Sequence, residues 1–230
     1  TLSTSLGNAA AALRNTHAAD LVMLVTAPAS PNGCGIAWLM TSVNAGFAPY
    51  GFSVVDQSCI SPNYTFAHEL GHNMGVRHDW YIDNAITPYT YAHGYVYTTN
   101  RWRTIMAYNN LCSDQSFNCT RLLYWSNPGI TNSGIPMGIA GGTRSDCPKS
   151  NTSNTACDAD DHRTLDNTAL TVANFRASTF CSYTVSPTSA LAGVSASGST
   201  VSVTTTAGCG WTAMSNASWV TITSGAAGTG

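Results

Sequence analysis

Three of the six histidines of this 230-residue sequence fall within one stretch of twelve residues, HELGHNMGVRHD at 68–79. His68 and His72 lie four residues apart, so on a helix they project from the same face and can bind one metal ion together. Glu69 stands beside the first histidine, where it can accept a proton from a water molecule at the ion without being a ligand itself. The spacing therefore predicts a metal-binding helix that carries its own general base.

The residues after this helix complete the predicted site. Gly75 follows His72 by three residues and suits a helix C-terminus, where a positive φ reverses the chain. That reversal returns His78 toward the same ion. Three neutral imidazoles leave the fourth tetrahedral position open, which is typical of a catalytic zinc, and the sequence offers no evident fourth ligand for a structural zinc. We therefore expect His68, His72 and His78 to bind one catalytic Zn²⁺ ion.

The hydrophobic periodicity and the turn residues of the surrounding sequence predict both helices and strands. The predicted helices are residues 1–19, 64–75 and 160–176, and the predicted strands are 20–27, 34–40 and 51–59. Residues 80–158 are rich in aromatic residues, Gly and Asn, and we expect mostly loop there with short ordered pieces. The buried face of the last helix is predicted to consist of Leu165, Leu170, Val172 and Phe175.

Composition narrows the class of protein. Charged residues make up 9% of the chain, the formal net charge is −2 and the sequence pI is about 6.2, so neither nucleic acid nor an anionic membrane surface is an expected partner. Hydrophobic residues make up 43%, which allows a substantial core. No stretch approaches the roughly 18–20 continuous apolar residues of a membrane span.

Eight cysteines are spread along the chain and none forms a C-x-x-C pair, which argues against a cysteine-based zinc ribbon or redox motif. An even number in a charge-poor chain favours disulfides and an oxidising compartment, so we expect a secreted protein. About 105 pairings are possible, and the sequence alone does not choose among them. Our hypothesis is that near neighbours pair. Those pairs are Cys34–Cys59, Cys112–Cys119, Cys147–Cys157 and Cys181–Cys209.

The pattern H-E-x-x-H-x-x-G-x-x-H is followed by NRWRTIMAY at 100–108, which places Met106 28 residues after His78. Together these segments resemble the metzincin zinc endopeptidases, whose signature joins this motif to a methionine-containing turn. The resemblance implies that Met106 lies beneath the three histidines as an apolar floor without binding metal. Asp79, directly after the third histidine, is similar to the aspartate of the adamalysin/reprolysin group, which supports the fold. Structural roles are therefore expected for Gly75 and Asp79.

The resemblance covers roughly residues 1–178 and implies an α/β (α+β) metzincin catalytic domain with a twisted mixed sheet and a zinc-binding active-site helix. In such a domain an edge strand runs along the cleft, and residues 36–40 occupy its place, so substrate would bind as an added antiparallel strand. The segment LLYWSNPGI at 122–130 would form the wall of the primed-side pocket. The first strands and helix of the family are missing, so we assign 1–179 to a catalytic domain with an incomplete N-terminal part.

Tyr108 follows Met106 by two residues and has two interpretations. Some metzincin families, such as astacins and pappalysins, have a tyrosine there that ligates zinc or stabilises the oxyanion, so Tyr108 is a possible transition-state stabiliser. Adamalysins generally do not use one, and packing within an aromatic region is the other interpretation. That region contains Tyr89, Tyr91, Tyr95 and Tyr97.

The remaining histidines are not expected to bind metal. His93 and His17 are assigned to the surface or to an aromatic cluster, and His162 to the first turn of the last helix. A calcium site is possible at the start of that helix, although an N-terminal helix cap explains the same acidic residues equally well. Those residues are Asp158, Asp160 and Asp161.

The composition changes at about residue 180, after which the chain is uncharged and alternates small polar with β-branched residues. Residues 180–230 resemble the start of a BACON-type module, so we assign them to a truncated, partial all-β sandwich. Such modules are appended to bacterial extracellular enzymes, and the resemblance implies binding of carbohydrate or mucin. Trp211 and Trp219 could stack on sugar rings, but a core position is the commoner role of tryptophan in a small sandwich.

These observations predict a secreted bacterial endopeptidase that acts on protein or peptide substrates. Zn²⁺ would activate a water molecule and polarise the scissile carbonyl, while Glu69 takes the proton and passes it to the departing amine. One alternative is the specificity of peptidyl-Asp metallopeptidases, which share the motif with its trailing aspartate. Arg101, Arg103 or Arg121 would then hold the acidic side chain, unless they are ordinary surface arginines. The other is a catalytically weak, protease-like adhesin that binds through its C-terminal module, and the intact Glu69 argues against it.

Overall fold

The computed structural model describes residues 7–27, 33–61, 63–141, 157–176, 181–193, 195, 197–206 and 209–229. The chain divides into two compact units, Thr1–Ala177 and Ser178–Gly230. The helices of the first unit are α1 (Gly7–Thr16), α2 (Thr65–Asn73), α3 (Asn110–Ser113) and α4 (Asp161–Val172). Its strands are β1 (Val22–Thr26), β2 (Gly35–Ala37), β3 (Phe52–Asp56), β4 (Val96–Tyr97), β5 (Trp102–Arg103), β6 (Thr120–Arg121), β7 (Asn127–Asn132) and β8 (Ile135–Met137).

The sheet beside the metal-binding helix has three strands in the order β1-β3-β2. β1 runs parallel to β3, with Val22 opposite Phe52, whereas β2 runs antiparallel to β3, with Gly35 opposite Val55. The predicted mixed sheet is therefore confirmed. Among the described residues β2 pairs only with β3, which leaves β2 at the edge of the sheet.

β2 is shorter than the predicted strand 34–40 because the chain after it turns toward α2. Trp38 N still reaches the carbonyl oxygen of Phe52 at 3.5 Å, but Met40 N donates instead to the carbonyl of His72 at 3.0 Å. The edge strand is thus joined to the helix that carries the predicted metal ligands, and Asn73 of that helix donates its Nδ2 to the Trp38 carbonyl at 2.8 Å.

The region 80–158 contains short ordered pieces, as the sequence predicts. β4, β5 and β6 form a second three-stranded sheet, and β7 and β8 form an antiparallel pair. Buried Trp102 and Met137 pack in one cluster there, and Val96 and Ala107 pack in another with the Cys112–Cys119 disulfide. These small clusters position the segment that leads into Met106.

The predicted buried face of the last helix is confirmed at Val172 and Phe175, each 6% exposed, and Leu165 packs partly buried against a core cluster. Leu170 is 76% exposed, so its assignment to the core is wrong. The buried positions of the helix are three or four residues apart, and most of them are polar. The hydroxyl group of Thr168 donates a hydrogen bond to the Met74 carbonyl at 2.9 Å. The buried residues of α4 are Asp161, Thr164, Thr168 and Val172.

Three of the four predicted disulfides are present. Cys34–Cys59, Cys112–Cys119 and Cys181–Cys209 have Cα–Cα distances of 5.5, 5.9 and 5.5 Å. The fourth predicted pair includes Cys147, which lies outside the described residues. Cys34–Cys59 joins the start of β2 to the turn after β3, so it constrains the edge strand next to the site.

The second unit contains the strands β9 (Tyr183–Ser186), β10 (Ser202–Thr205), β11 (Gly210–Thr212) and β12 (Ala227–Thr229). They form two separate antiparallel pairs, β9 with β10 and β11 with β12. Trp219 is 78% exposed, so the core position expected for it is wrong. The β-sandwich and its BACON-like identity stay predictions. Throughout the described ranges, no helix has both the length and the apolar character needed to cross a bilayer.

Candidate metal centre

α2 carries His68 and His72 one turn apart, and its C-terminus is built to reverse the chain. Gly75 has a φ of +90°. Its N–H donates to the carbonyl of His72 at 3.0 Å, and Val76 N donates to the carbonyl of Gly71 at 3.0 Å. This pair of bonds ends a helix on a left-handed residue, a conformation that glycine adopts without strain. The chain after Gly75 therefore returns alongside α2.

The returning chain brings the third histidine to the other two. His78 Nε2 lies 3.1 Å from the Nε2 atoms of both His68 and His72. Two nitrogen ligands bound at about 2.0–2.1 Å to a tetrahedral zinc ion would lie about 3.4 Å apart, so this spacing fits a single ion. Among the described residues these three histidines are the one group of His, Cys, Asp or Glu side chains arranged to hold a metal.

The Nδ1 atoms of His68 and His72 lie against backbone carbonyl groups, so the Nε2 atoms are the ones that face the centre. His68 Nδ1 lies 3.0 Å from the Ile105 carbonyl oxygen, and His72 Nδ1 lies 2.9 Å from that of Val76. A nitrogen this close to a carbonyl oxygen carries the proton and donates, so Nε2 keeps its lone pair. Lone pairs that converge in this way repel one another, and a bound cation removes the repulsion. The donor set therefore fits zinc.

The three imidazoles are neutral at neutral pH. Burial lowers the pKa of His68 well below its usual value. Repulsion from the positive charge that His72 and His78 carry when protonated lowers this pKa further. Burial likewise lowers the pKa of His72 to about 4 and that of His78 to about 3. All three are thus ready to donate a lone pair to a metal without first losing a proton.

Glu69 lies within the same site. It is the one glutamate of the whole sequence and is 4% exposed. Burial raises its pKa to about 7, although the positive charge of Arg121 opposes that shift. A carboxyl group with a pKa near the ambient pH can both accept and release a proton, which is the property that a general acid–base residue needs.

Gly35 of the edge strand makes room for this carboxylate, a role that the sequence does not reveal. A Cβ atom at position 35 would lie 2.6 Å from Glu69 Oε1 and 2.8 Å from Thr65 Cγ2. β2 and α2 can therefore approach this closely only where the strand has no side chain. Residue spacing holds no signal for a contact between positions 34 residues apart.

For the peptide hydrolysis that the sequence predicts, Gly35→Ala is expected to lower kcat by about 10²-fold, because displacement of a reacting group by ~1 Å has an effect of that size. The overpacking should also lower the free energy of unfolding by about 1–3 kcal/mol. Steady-state kinetics and thermal unfolding measure the two effects. Gly193→Ala is the matched control, since no atom lies within 4 Å of a Cβ at that position. Wild-type kcat in Gly35→Ala would refute the steric role of Gly35.

The methionine-containing turn packs against the helix. Met106 is fully buried in a cluster with Val76 and Ile105. Asp79, whose pKa is raised to about 6 by burial, accepts hydrogen bonds from Tyr81 N at 3.1 Å and Tyr108 N at 2.8 Å. The carboxylate thus joins the chain just after the third histidine to the chain just after the methionine.

Tyr108 lies against the histidines and not within the predicted aromatic region. Its ring centroid is 4.2 Å from that of His78 and 5.9 Å from that of His68, and its side chain is 38% exposed. The tyrosines of the aromatic region contact each other instead, in the pairs Tyr89–Tyr91 and Tyr95–Tyr97. The structure therefore places the Tyr108 ring beside two of the candidate metal ligands.

His93 has a role that the sequence did not reveal. It is fully buried, so the surface assignment is wrong, while the expected aromatic contact is present as stacking on Trp80 at 3.7 Å. Its Nδ1 lies 2.7 Å from the His78 carbonyl oxygen and its Nε2 lies 2.9 Å from that of Ala85. His93 therefore positions the backbone of the third candidate ligand. His17 and His162 are exposed.

The aspartates before α4 have structural partners. Asp160 caps the helix by accepting a hydrogen bond from Arg163 N at 3.1 Å, and the Asp158 carbonyl accepts one from Trp80 Nε1 at 2.7 Å. The N-cap interpretation is confirmed for Asp160. No described group of acidic side chains there has the geometry of a calcium site.

Three converging imidazoles that could hold one metal ion, with a buried carboxylate beside them, have the arrangement that catalytic metal centres use. In a comparison with known families, a reprolysin model described as "Metallo-peptidase family M12" matches residues 1–126. This match covers more than half of the 230 residues. The chain therefore belongs to metallo-peptidase family M12, and the expected reprolysin-like resemblance is confirmed.

Three similar curated proteins carry the name peptidyl-Asp metalloendopeptidase. Two, from different strains of Stenotrophomonas maltophilia, are 41% and 42% identical to this chain over 167 residues. A third, from Xanthomonas campestris, is 39% identical over 163 residues. Each alignment covers 71% of this chain but 33%, 33% and 32% of those proteins, so the chain spans about a third of the length of the curated relatives it matches.

Proposed function

We propose that this protein is a zinc-dependent endopeptidase whose catalytic residues lie within residues 1–179. The observation that carries the proposal is the convergence of the Nε2 atoms of His68, His72 and His78 beside the buried Glu69 carboxylate. Imidazole nitrogens suit zinc, and three of them leave one position open. Bound there, zinc supplies Lewis acidity to water and to the scissile carbonyl. Membership of a metallopeptidase family supports this function.

Glu69 carries the proton transfers in this proposal. α2 holds its carboxylate one residue after the first ligand, and Gly35 leaves it space beside the edge strand. The carboxylate accepts a proton from the attacking water and delivers it to the departing amine. Met106 and Asp79 act through packing and hydrogen bonds that keep the histidine-bearing segments in place.

The substrate backbone is proposed to pair with β2. That strand ends the sheet within the described residues, and Ile36 at its centre is 59% exposed. A peptide added there as an antiparallel strand would pass the Glu69 carboxylate, which approaches Gly35 of the same strand. Leu123 and Tyr124, which are 59% and 52% exposed, belong to the segment proposed as the primed-side wall.

The cleavage preference is proposed to resemble that of the named relatives. Those proteins are peptidyl-Asp metalloendopeptidases, and the sequence similarity extends through the candidate site. We therefore infer that this chain hydrolyses peptide bonds next to aspartyl residues.

Export from a bacterial cell is proposed on two grounds. The three described disulfides favour an oxidising compartment, and the named relatives are bacterial. Binding of carbohydrate or mucin by residues 180–230 stays a prediction.

Tyr108→Phe tests whether the hydroxyl group of Tyr108 stabilises the transition state. Loss of one donor to a developing oxyanion lowers kcat by about 10²- to 10³-fold, and we expect a decrease of that size with little change in KM. Packing of the ring on His78 is kept in this variant, so a purely structural tyrosine would leave kcat unchanged. Tyr50→Phe, at an exposed position, is the control.

Cleavage of casein and of a quenched peptide library, measured with and without a zinc chelator, separates the enzyme from the adhesin. The proposed enzyme cleaves both, and the chelator stops it. A protein that binds its target but cleaves neither substrate in the presence of zinc would overturn the proposed function.

A further inference from the structure

The three arginines near the methionine-containing turn differ in their surroundings. Arg101 is exposed, and its guanidinium lies 4.8 Å from the ring centroid of Phe117. Arg103 is largely committed to the fold, because its Nε donates to the Cys119 carbonyl at 3.0 Å and its Nη1 to the Ala107 carbonyl at 2.6 Å. None of these contacts reaches the segment that begins α2.

Arg121 instead bridges the two segments that frame the site. Its Nη1 donates at 2.8 Å to the carbonyl of Asn63, just before α2, and its Nη2 donates at 3.1 Å to the carbonyl of Ala107, next to Tyr108. A guanidinium has five N–H donors, and these two carbonyls engage two of them. Its Nε is buried, but Nη1 and Nη2 each carry a second N–H group that these two bonds do not use. Arg121 therefore retains donor capacity at its Nη atoms.

Two arginine side chains lie close together at Arg121. Arg103 and Arg121 both donate to the Ala107 carbonyl, so two guanidinium groups meet at one oxygen. Burial and the charge of Arg121 lower the pKa of Arg103 to about 10. Within the described residues no carboxylate lies at ion-pair distance from either group, whereas Arg77 has Asp83 at 2.8 Å. A substrate carboxylate at this place would supply the close anionic partner that both guanidinium groups lack and would relieve their repulsion.

The guanidinium of Arg121 lies at the two segments that carry the site. It donates to the backbone just before α2, the helix of Glu69, and to the carbonyl of Ala107, which directly precedes Tyr108. An acidic side chain of a peptide bound at Glu69 would therefore meet a positive field on this side. Arginine matches the two oxygens of a carboxylate with paired N–H groups, which lysine does not.

We propose that Arg121 binds the side-chain carboxylate of the substrate's aspartyl residue and is the specificity-determining residue of this protease. This inference rests on the proposed endopeptidase function. It identifies one of the three candidate arginines by its contacts with the segment just before α2 and with the methionine-containing turn.

The test uses two quenched peptides that differ only in one residue beside the scissile bond, Asp in one and Asn in the other. Wild-type protein should prefer the Asp peptide in kcat/KM, and Arg121→Gln should lower the Asp/Asn ratio by about 10- to 100-fold, the size expected for loss of a charge-assisted hydrogen bond. Arg121→Lys should give an intermediate ratio. Arg101→Gln removes the same charge at an exposed site and should keep the wild-type ratio.

Binding of the same peptides to the Glu69→Gln protein, with and without Arg121→Gln, gives a second readout that needs no turnover. The Asp peptide should bind more weakly when Arg121 is replaced, while binding of the Asn peptide changes little. If Arg121→Gln does not fold, the Arg121→Lys ratio decides. An unchanged Asp/Asn ratio in a folded, active Arg121 variant overturns this inference and leaves the protease function intact. Absence of any cleavage by wild-type protein overturns the proposed function itself.

Discussion

Glu69→Gln is expected to lower kcat for peptide hydrolysis by about 10²- to 10⁴-fold, the range that general acid–base catalysis contributes. Glutamine keeps the shape of the side chain but cannot accept the proton of the attacking water. Because Glu69 is not one of the converging ligands, zinc content should stay at the wild-type level. Steady-state kinetics and metal analysis of the same preparation measure both quantities.

The matched control for this change is Asp166→Asn, which neutralises an acidic side chain that is 68% exposed on α4. It should leave kcat unchanged. The assignment of Glu69 as the base would be untenable if Glu69→Gln hydrolysed peptides at the wild-type rate. Loss of zinc together with activity would instead indicate that Glu69 helps to hold the metal.

His78→Ala should abolish hydrolysis and weaken zinc binding strongly. Loss of a group that only hydrogen-bonds to a metal ligand weakens binding by ~10- to 100-fold, and loss of the ligand itself should weaken it by more. His78 Nε2 is the atom that lies 3.1 Å from both other ring nitrogens, so its removal leaves a two-ligand site. Zinc stabilises the wild-type fold by about 2.7 kcal/mol at 100 times its Kd. We therefore expect a zinc-dependent rise in Tm that is lost in the variant.

His162→Ala provides the comparison, because the His162 side chain is 55% exposed and lies outside the histidine group. Its zinc-dependent rise in Tm should equal that of the wild type. Zinc binding by His78→Ala at wild-type affinity would show that the third ligand is some other group.

The sequence predicted those features that depend on local spacing. A separation of four residues on one helix determines that His68 and His72 share a face, and a glycine three residues later provides the positive φ that returns His78. The near-neighbour disulfides Cys34–Cys59, Cys112–Cys119 and Cys181–Cys209 also connect positions close in the chain, where loop closure costs least.

The features that the sequence did not predict depend on contacts between distant segments. Gly35 lies against Glu69, and His93 bonds to the backbone of His78, only because the sheet and the turns bring them together. Leu170 was assigned to the core by its apolar character, yet the neighbouring elements bury the threonine face of α4 instead. The choice of Arg121 among three arginines likewise required knowing which carbonyl groups each of them already binds.

Titration of the chelator-treated, metal-free protein with Zn²⁺, followed by peptide cleavage, examines the proposed centre as a whole. Activity should be absent without metal, rise in proportion to added zinc and reach its plateau at one equivalent per chain, because the three histidines converge on a single point. Activity that survives complete removal of metal, or that does not return when zinc is restored to folded protein, would contradict a zinc-dependent endopeptidase built on His68, His72 and His78.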